Sequence, residues 1–277
     1  MNYKLPDEIA WIGPDLRQLR YYAEEIKTKA QKKITNDDYF GVMAFCFLAS
    51  QLERFDSMRI LITHEHFEDA STISRCMLEG AAILRWTLKN GKVSLSRKWG
   101  QFQAVSNWRT IRDLEKENGP PVNPQIKAKI DLILMKDGRK FFKDKHKKAG
   151  LKMSNIPNDL DPFIPYWHEQ KTISVFFKDL EALVFYRFFY SRSSEWTHWT
   201  PASLAGNAKF TEGVIHAKYK GKGAVVPAVL MGFQSVLQTS IIMSEHLKLD
   251  YTSTLRIIDE RCIEILEKKR DDHLGLY

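Results

Sequence analysis

Three side chains that can move protons lie at helical spacing in the last third of the chain. Tyr190, Ser194 and His198 are spaced i, i+4, i+8, so a regular helix places them on one face with a drift of about 40° per step. A phenol, a hydroxyl and an imidazole can donate and accept protons. A structural network, in which the hydroxyls bond back to main-chain carbonyls, is the other interpretation of this face.

An arginine, Arg192, lies six residues before His198. In a regular helix these two positions point about 120° apart. They converge only where the helix bends or begins, or where two chains meet.

The spacing of Arg192 and His198 resembles the Arg–x(four to six)–His signature of the HEPN ribonucleases, which are helical bundles. That resemblance implies a metal-independent endoribonuclease of a bacterial defence or toxin system, with a composite site in a homodimer. In such enzymes RNA supplies its own nucleophile, the 2′-hydroxyl, so His198 would move a proton and Arg192 would neutralise charge on the phosphate. The sequence departs from the superfamily at Ser193, where a more polar residue often follows the arginine. Arg59 and His64 satisfy the same loose spacing.

A second polar pair lies earlier in the chain, in apolar surroundings. Arg75 and Glu79 are spaced i, i+4 and can form an ion pair. Together with Tyr190, Ser194 and His198 they resemble a mostly bacterial family of helical proteins known only as a domain of unknown function. This resemblance spans about residues 65–205 and implies an all-α fold. We expect the two segments to pack so that Arg75, Glu79, Ser194 and His198 approach one polar pocket, which Glu195, Trp196 and Trp199 would support.

Positive charge is concentrated in one segment. Residues 136–148 contain seven Lys or Arg against two Asp, a local charge of +5. Clustered cations attract phosphates, although a solvated helix end is the simpler interpretation. The residues that we assign to nucleic-acid binding are Arg139, Lys140, Lys143, Lys145, Lys147 and Lys148.

Two groups of residues in the sequence have the types that bind metals, but neither has a complete metal-binding pattern. Glu195 and His198 have the spacing of a di-iron ligand pair, but the sequence has no second such pair on a helix. His64 and His66 are close in sequence but face different ways, and the acidic residues after them suit the first turn of a helix. We therefore predict neither a metal nor another cofactor.

Composition and the period of the apolar residues indicate the fold class. The chain has 277 residues, 44% of them hydrophobic, a net charge of +8 and three cysteines, which we expect to behave as buried hydrophobes. The apolar period is helical nearly throughout, with predicted helices at about 15–33, 37–61, 67–89, 94–117, 124–147, 172–199, 227–247 and 252–269. We predict one all-α domain over residues 1–277, a bundle of eight or nine helices with room for a β-hairpin near 211–226, and a basic stretch and loop over 136–168.

Two functions follow from these features. The first is an RNA-directed cytoplasmic protein, with Arg192, His198, Ser194 and Tyr190 as the catalytic residues of a ribonuclease. The second is a non-catalytic helical module whose polar pocket holds a small ligand or a partner. The N-terminal residues lack an apolar signal core, and no apolar run approaches the length of a membrane span, so neither function involves a membrane.

Overall fold

The computed structural model describes residues 5–117, 119–157, 159–169, 172–183, 186–191, 208–211, 214–217 and 222–272. These residues form eight α-helices: α1 Gly13–Lys33, α2 Tyr39–Thr63, α3 Phe67–Lys116, α4 Pro124–Asp137, α5 Asp144–Lys148, α6 Ile173–Asp179, α7 Val225–His246 and α8 Thr252–Asp272. A π-helical turn covers Tyr186–Ser191, and two short strands pair as a hairpin. The predicted all-α class is confirmed.

Local signals explain where the helices begin. The Asp38 carboxylate accepts a hydrogen bond from the Gly41 amide at 2.9 Å, which caps α2. Asn123 caps α4 in the same way, through the Gln125 amide at 2.8 Å, and Pro124 occupies the first helical position. Helix α2 therefore begins at Tyr39, two residues after the predicted start at about residue 37.

The chain divides into two compact units, residues 1–89 with 172–277, and residues 90–171. The boundary coincides with the interruption of α3 at Gly91, whose backbone leaves helical geometry. Two helices were predicted here with a stop at Asn90–Gly91, and the stop is confirmed. The prediction of one domain over residues 1–277 stays a prediction.

α7 is the core helix of the first unit. It packs against α1, α2 and α8, and most of its side chains are buried. Two of its hydroxyls donate to carbonyls one turn earlier in the helix, Ser235 to Met231 at 2.5 Å and Thr239 to Ser235 at 2.8 Å. The buried Ser240 hydroxyl has no hydrogen-bond partner among the described residues. Among the described residues, α7 is also the one helix long and apolar enough to cross a membrane, but 72% of that stretch is buried, as in the core helix of a soluble protein.

Aromatic residues form the core of the second unit. Phe102, Phe141, Phe142 and Phe163 are buried together with aliphatic side chains of α3 and α4. The loop after α5 is fastened to this core by arginine. Arg109 Nη2 donates to the carbonyls of Phe163 and Ile164, at 3.3 and 2.9 Å. The end of the predicted basic stretch and loop over 136–168 is therefore fastened to α3.

Two predicted helices are wrong in extent. The helix predicted over 124–147 ends at Asp137, and a 3₁₀ turn at Gly138–Phe141 buries Phe141 before α5 begins. The helix predicted over 172–199 stops as α6 at Asp179. The backbone turns at Glu181, which has a φ of 57°, and Tyr190 belongs to the later π-helical turn rather than to α6.

The predicted hairpin is present, but its position differs. β1 (Ala208–Thr211) pairs antiparallel with β2 (Val214–Ala217), with Thr211 opposite Val214. Residues 222–224, inside the predicted hairpin range of 211–226, instead form a 3₁₀ turn, Lys222–Ala224, that leads into α7.

Candidate functional site

Tyr190 joins the two polar residues of α3 in one hydrogen-bonded cluster. Arg75 Nη2 donates to Tyr190 Oη at 2.9 Å, and Tyr190 Oη donates to Glu79 Oε1 at 2.6 Å. The Arg75 and Glu79 side chains are also an ion pair, 3.3 Å apart. The i, i+4 spacing on α3 places both groups on one face. Arg75 and Glu79, two members of the expected pocket, therefore meet Tyr190, whereas the other two expected members, Ser194 and His198, lie outside the described residues.

The cluster is largely withdrawn from solvent. Tyr190 is 5% exposed, and the side chains of Arg75 and Glu79 are 14% and 32% exposed. The ring of Tyr186 stacks on Tyr190 with centroids 5.0 Å apart, and Phe177 lies 5.9 Å away. Burial of an ion pair is tolerated here because each charged group also bonds the phenol.

Burial and the hydrogen bond to Glu79 raise the pKa of Tyr190 well above its usual value, and Arg75 opposes this only in part. The phenol therefore remains protonated at physiological pH. Its hydrogen is donated to Glu79 and its oxygen accepts from Arg75, so both of its ordinary bonding roles are occupied. The arrangement suits an anchor between α3 and the π-helical turn.

One donor in the cluster is left over. The Arg75 Nε–H is buried and has no hydrogen-bond partner among the described residues. A buried N–H without a partner costs free energy, so this atom marks where a further polar group would be accommodated.

Most residues of the predicted catalytic set lie outside the described residues. These are Arg192, Ser194, Glu195, Trp196, His198 and Trp199. Their predicted roles stay predictions. The i, i+4 rule that aligned Ser194 with Tyr190 assumes an α-helix, whereas Tyr190 lies in a turn with i to i+5 hydrogen bonds.

The predicted nucleic-acid-binding residues divide into two groups. Lys140, Lys143 and Lys147 are held: Lys140 contacts Gln101 and Asp137, Lys143 Nζ donates to the Asp161 carbonyl at 3.0 Å, and Lys147 lies 3.5 Å from Asp144. The others are exposed and form no ion pair within the part of the chain that the structure describes. We call these three, Arg139, Lys145 and Lys148, the basic surface.

A cavity of about 410 Å³ lies beside these lysines and was not foreseen from the sequence. Its lining includes Lys143, Lys147 and Tyr166. The run Pro165-Tyr166-Trp167-His168, three aromatic rings in a loop after a basic segment, is the signal that could have indicated it.

Other predicted features have structural roles. His64 Nδ1 lies 2.8 Å from the Ile60 carbonyl at the end of α2, and no group of three potential metal ligands occurs among the described residues. Of the cysteines, only Cys262 is buried, whereas Cys46 and Cys76 are exposed. The expectation that all three lie in the core is wrong, because the apolar faces of α2 and α3 are wider than the part that the described core covers.

The comparisons with known proteins add the family. Residues 41–214, well over half of the chain, match the family of unknown function DUF5677. This range contains the 65–205 segment on which the resemblance to a domain of unknown function rested, including Arg75, Glu79 and Tyr190. Neither the curated proteins nor the solved structures provide a match. The chain therefore belongs to the family of unknown function DUF5677.

Proposed function

We propose that this protein acts on RNA and that the basic surface binds the RNA backbone. The observation that supports this most is the exposure of Arg139, Lys145 and Lys148 without ion-pair partners in the described ranges. A cation already paired with a carboxylate gains little from a phosphate, whereas an unpaired one releases counterions from the nucleic acid when it binds.

Lys143 and Lys147, although each contacts a neighbouring group, also contribute to the positive electrostatic potential of this segment. Lys143 is positioned by a main-chain carbonyl, which carries no net charge, so its own charge is retained. Lys147 is paired with Asp144, whose side chain is 87% exposed, and such surface pairs are weak. Residues 139–148 contain six Lys or Arg against one Asp, so this segment presents a positive potential to solvent.

An affinity measurement tests the proposal. Fluorescence anisotropy with an unstructured RNA compares wild type with a variant that carries Arg139→Gln, Lys145→Gln and Lys148→Gln. A matched control carries Lys32→Gln, Lys33→Gln and Arg256→Gln, which removes the same charge from exposed positions of the other unit. We expect the first variant to bind at least about tenfold more weakly and the control to bind like wild type. Equal loss in both variants, or no binding by wild type, would contradict the proposal.

The catalytic part of the proposal is a metal-independent cleavage. The RNA 2′-hydroxyl attacks the adjacent phosphorus and gives its proton to His198, while Arg192 neutralises charge on the phosphoryl oxygens. The P–O5′ bond breaks, the 5′-oxygen takes a proton from water, and the products are a 2′,3′-cyclic phosphate and a 5′-hydroxyl end. What supports it is the residue pair in the sequence and the anchoring of Tyr190 just before it. Incubation of total RNA with wild type in EDTA should give degradation that His198→Ala abolishes. Equal degradation by the variant would contradict the proposed ribonuclease activity.

The second candidate is a non-catalytic binding module. It is favoured by the Tyr190 cluster, in which the phenol, the carboxylate and one guanidinium nitrogen already satisfy one another. If RNA binds but remains intact in the cleavage experiment, the result supports the non-catalytic binding module over the ribonuclease.

A further inference from the structure

The cavity next to the basic surface combines an aromatic ring with ammonium groups. It has a volume of about 410 Å³, within the range of small-molecule sites. Its lining residues are Lys143, Asp144, Lys147, Ile164, Pro165, Tyr166 and Glu169. All of them belong to the second unit, residues 90–171.

The ring of Tyr166 is presented as a platform. Its side chain is 53% exposed although it is a large aromatic group. The ring of His168 lies parallel to it, with an interplanar angle of 5° and centroids 5.4 Å apart. Trp167, which packs against the aromatic core, meets His168 edge to face. The Tyr166 ring is thus attached to the packed aromatic core, so a base that stacks on it would cost little conformational entropy of the protein.

The cations flank this platform. Lys143 donates one hydrogen bond to the Asp161 carbonyl, which leaves two of its three N–H groups available. Within the described ranges, Lys147 forms an ion pair with Asp144, whose side chain is 87% exposed. Both side chains can therefore contact a phosphate beside a base that stacks on Tyr166.

Two carboxylates also line the cavity and must be accounted for. Glu169 forms an ion pair with Lys98, and Asp144 pairs with Lys147. With Lys98 included, three ammonium groups face two carboxylates, so the site remains cationic. Since ionised carboxylates only accept hydrogen bonds, they suit the amino or imino groups of a base edge.

We propose that this cavity binds an unpaired nucleotide of RNA, with its base stacked on Tyr166 and its phosphate held by Lys143 and Lys147. The inference rests on the proposed function and narrows it to single-stranded RNA. In a duplex the faces of the bases are stacked on one another, so Tyr166 could contact a base only after unpairing it. The basic surface alone would not distinguish the two forms, because both carry phosphates.

The test compares single-stranded and duplex RNA. Anisotropy is measured with a labelled oligouridine of about a dozen nucleotides and with the same strand annealed to oligoadenosine. We expect Tyr166→Ala to weaken binding of the single strand about 10- to 100-fold and to leave duplex binding within about twofold. Tyr166→Phe, which keeps the ring, should bind both like wild type. Tyr21→Ala, at another exposed tyrosine, is the matched control.

The outcomes separate this inference from the proposed function. If wild type binds RNA and Tyr166→Ala loses nothing, the stacking site is wrong and the basic surface stands. If wild type binds neither RNA, both are wrong. Should Tyr166→Ala fail to fold, photo-crosslinking of wild type to iodouridine-substituted oligouridine decides instead. The adduct is expected at Tyr166, and adducts confined to other residues would overturn the inference.

Discussion

The Tyr190 phenol donates a 2.6 Å hydrogen bond to the Glu79 carboxylate, across 111 residues of sequence. This bond and the one from Arg75 connect α3 to the π-helical turn from which residues 192–200 follow. In the proposed ribonuclease, Tyr190 is therefore a positioning residue, since its own donor and acceptor capacity is used within the protein.

Tyr190→Phe should lower the free energy of unfolding by about 1–3 kcal/mol, because a buried carboxylate and guanidinium each lose a partner. Urea denaturation followed by circular dichroism measures this. Tyr21→Phe, at an exposed tyrosine, is the control and should be neutral. A Tyr190→Phe protein as stable as wild type would show that the cluster contributes nothing to folding.

Arg109→Lys should loosen the loop after α5. The guanidinium bonds two carbonyls and also pairs with Asp161 at 3.0 Å, a set that a single ammonium group cannot reproduce. We expect faster hydrogen exchange at the Ile164 amide, which donates to the Phe141 carbonyl at 2.8 Å. Exchange at α7 amides should not change. Unaltered protection at Ile164 would contradict the role given to Arg109.

Stability of the second unit should depend on pH through His168. Burial, aided by the charge of Lys98, lowers the pKa of His168 from 6.5 to about 4. Between these values the unfolded chain binds a proton that the folded chain does not, so stability falls as pH drops from about 6.5 toward about 4 and is unaffected above that window. His168→Phe should flatten this part of the profile. An identical slope in the variant would show that the imidazole does not titrate in this way.

Thiol reactivity should separate the three cysteines. Cys46 and Cys76 are exposed, whereas Cys262 is buried and its pKa is raised to about 12, first by burial and then by nearby carboxylates. Native protein at pH 8 should label at Cys46 and Cys76, and Cys262 should label only after denaturation. Peptide mass mapping identifies the positions. Labelling of Cys262 in the native state would contradict its burial.

Local sequence signals predicted much of the fold. The ends of α1, α2, α7 and α8 fall within a few residues of the predicted ones, because caps and the apolar period act over a single helix. The end of α6 at Asp179 could not be predicted in this way. No glycine or proline marks it, and the apolar pattern continues through Glu181 into the next turn.

Contacts between distant segments were predictable only in part. Helical spacing predicted that the segments around Arg75 and Tyr190 would pack together, and Arg75 and Glu79 do meet Tyr190. The pocket predicted from Arg75, Glu79, Ser194 and His198 stays a prediction, because Ser194 and His198 lie outside the described residues. The Tyr166 cavity was missed, because it exists only after Arg109 and its neighbours fold the loop back onto α3. Neither the spacing nor the composition of residues 143–169 indicates that this loop packs against α3.

The salt dependence of RNA binding tests the central claim most directly. For wild type with an unstructured RNA, the logarithm of the association constant should fall linearly with the logarithm of salt concentration. Replacement of Arg139, Lys145 and Lys148 by Gln should make that slope shallower by about 2, since each phosphate contact on a single strand contributes about 0.7. A slope that is the same in wild type and variant, or no binding at the lowest salt, would contradict the account.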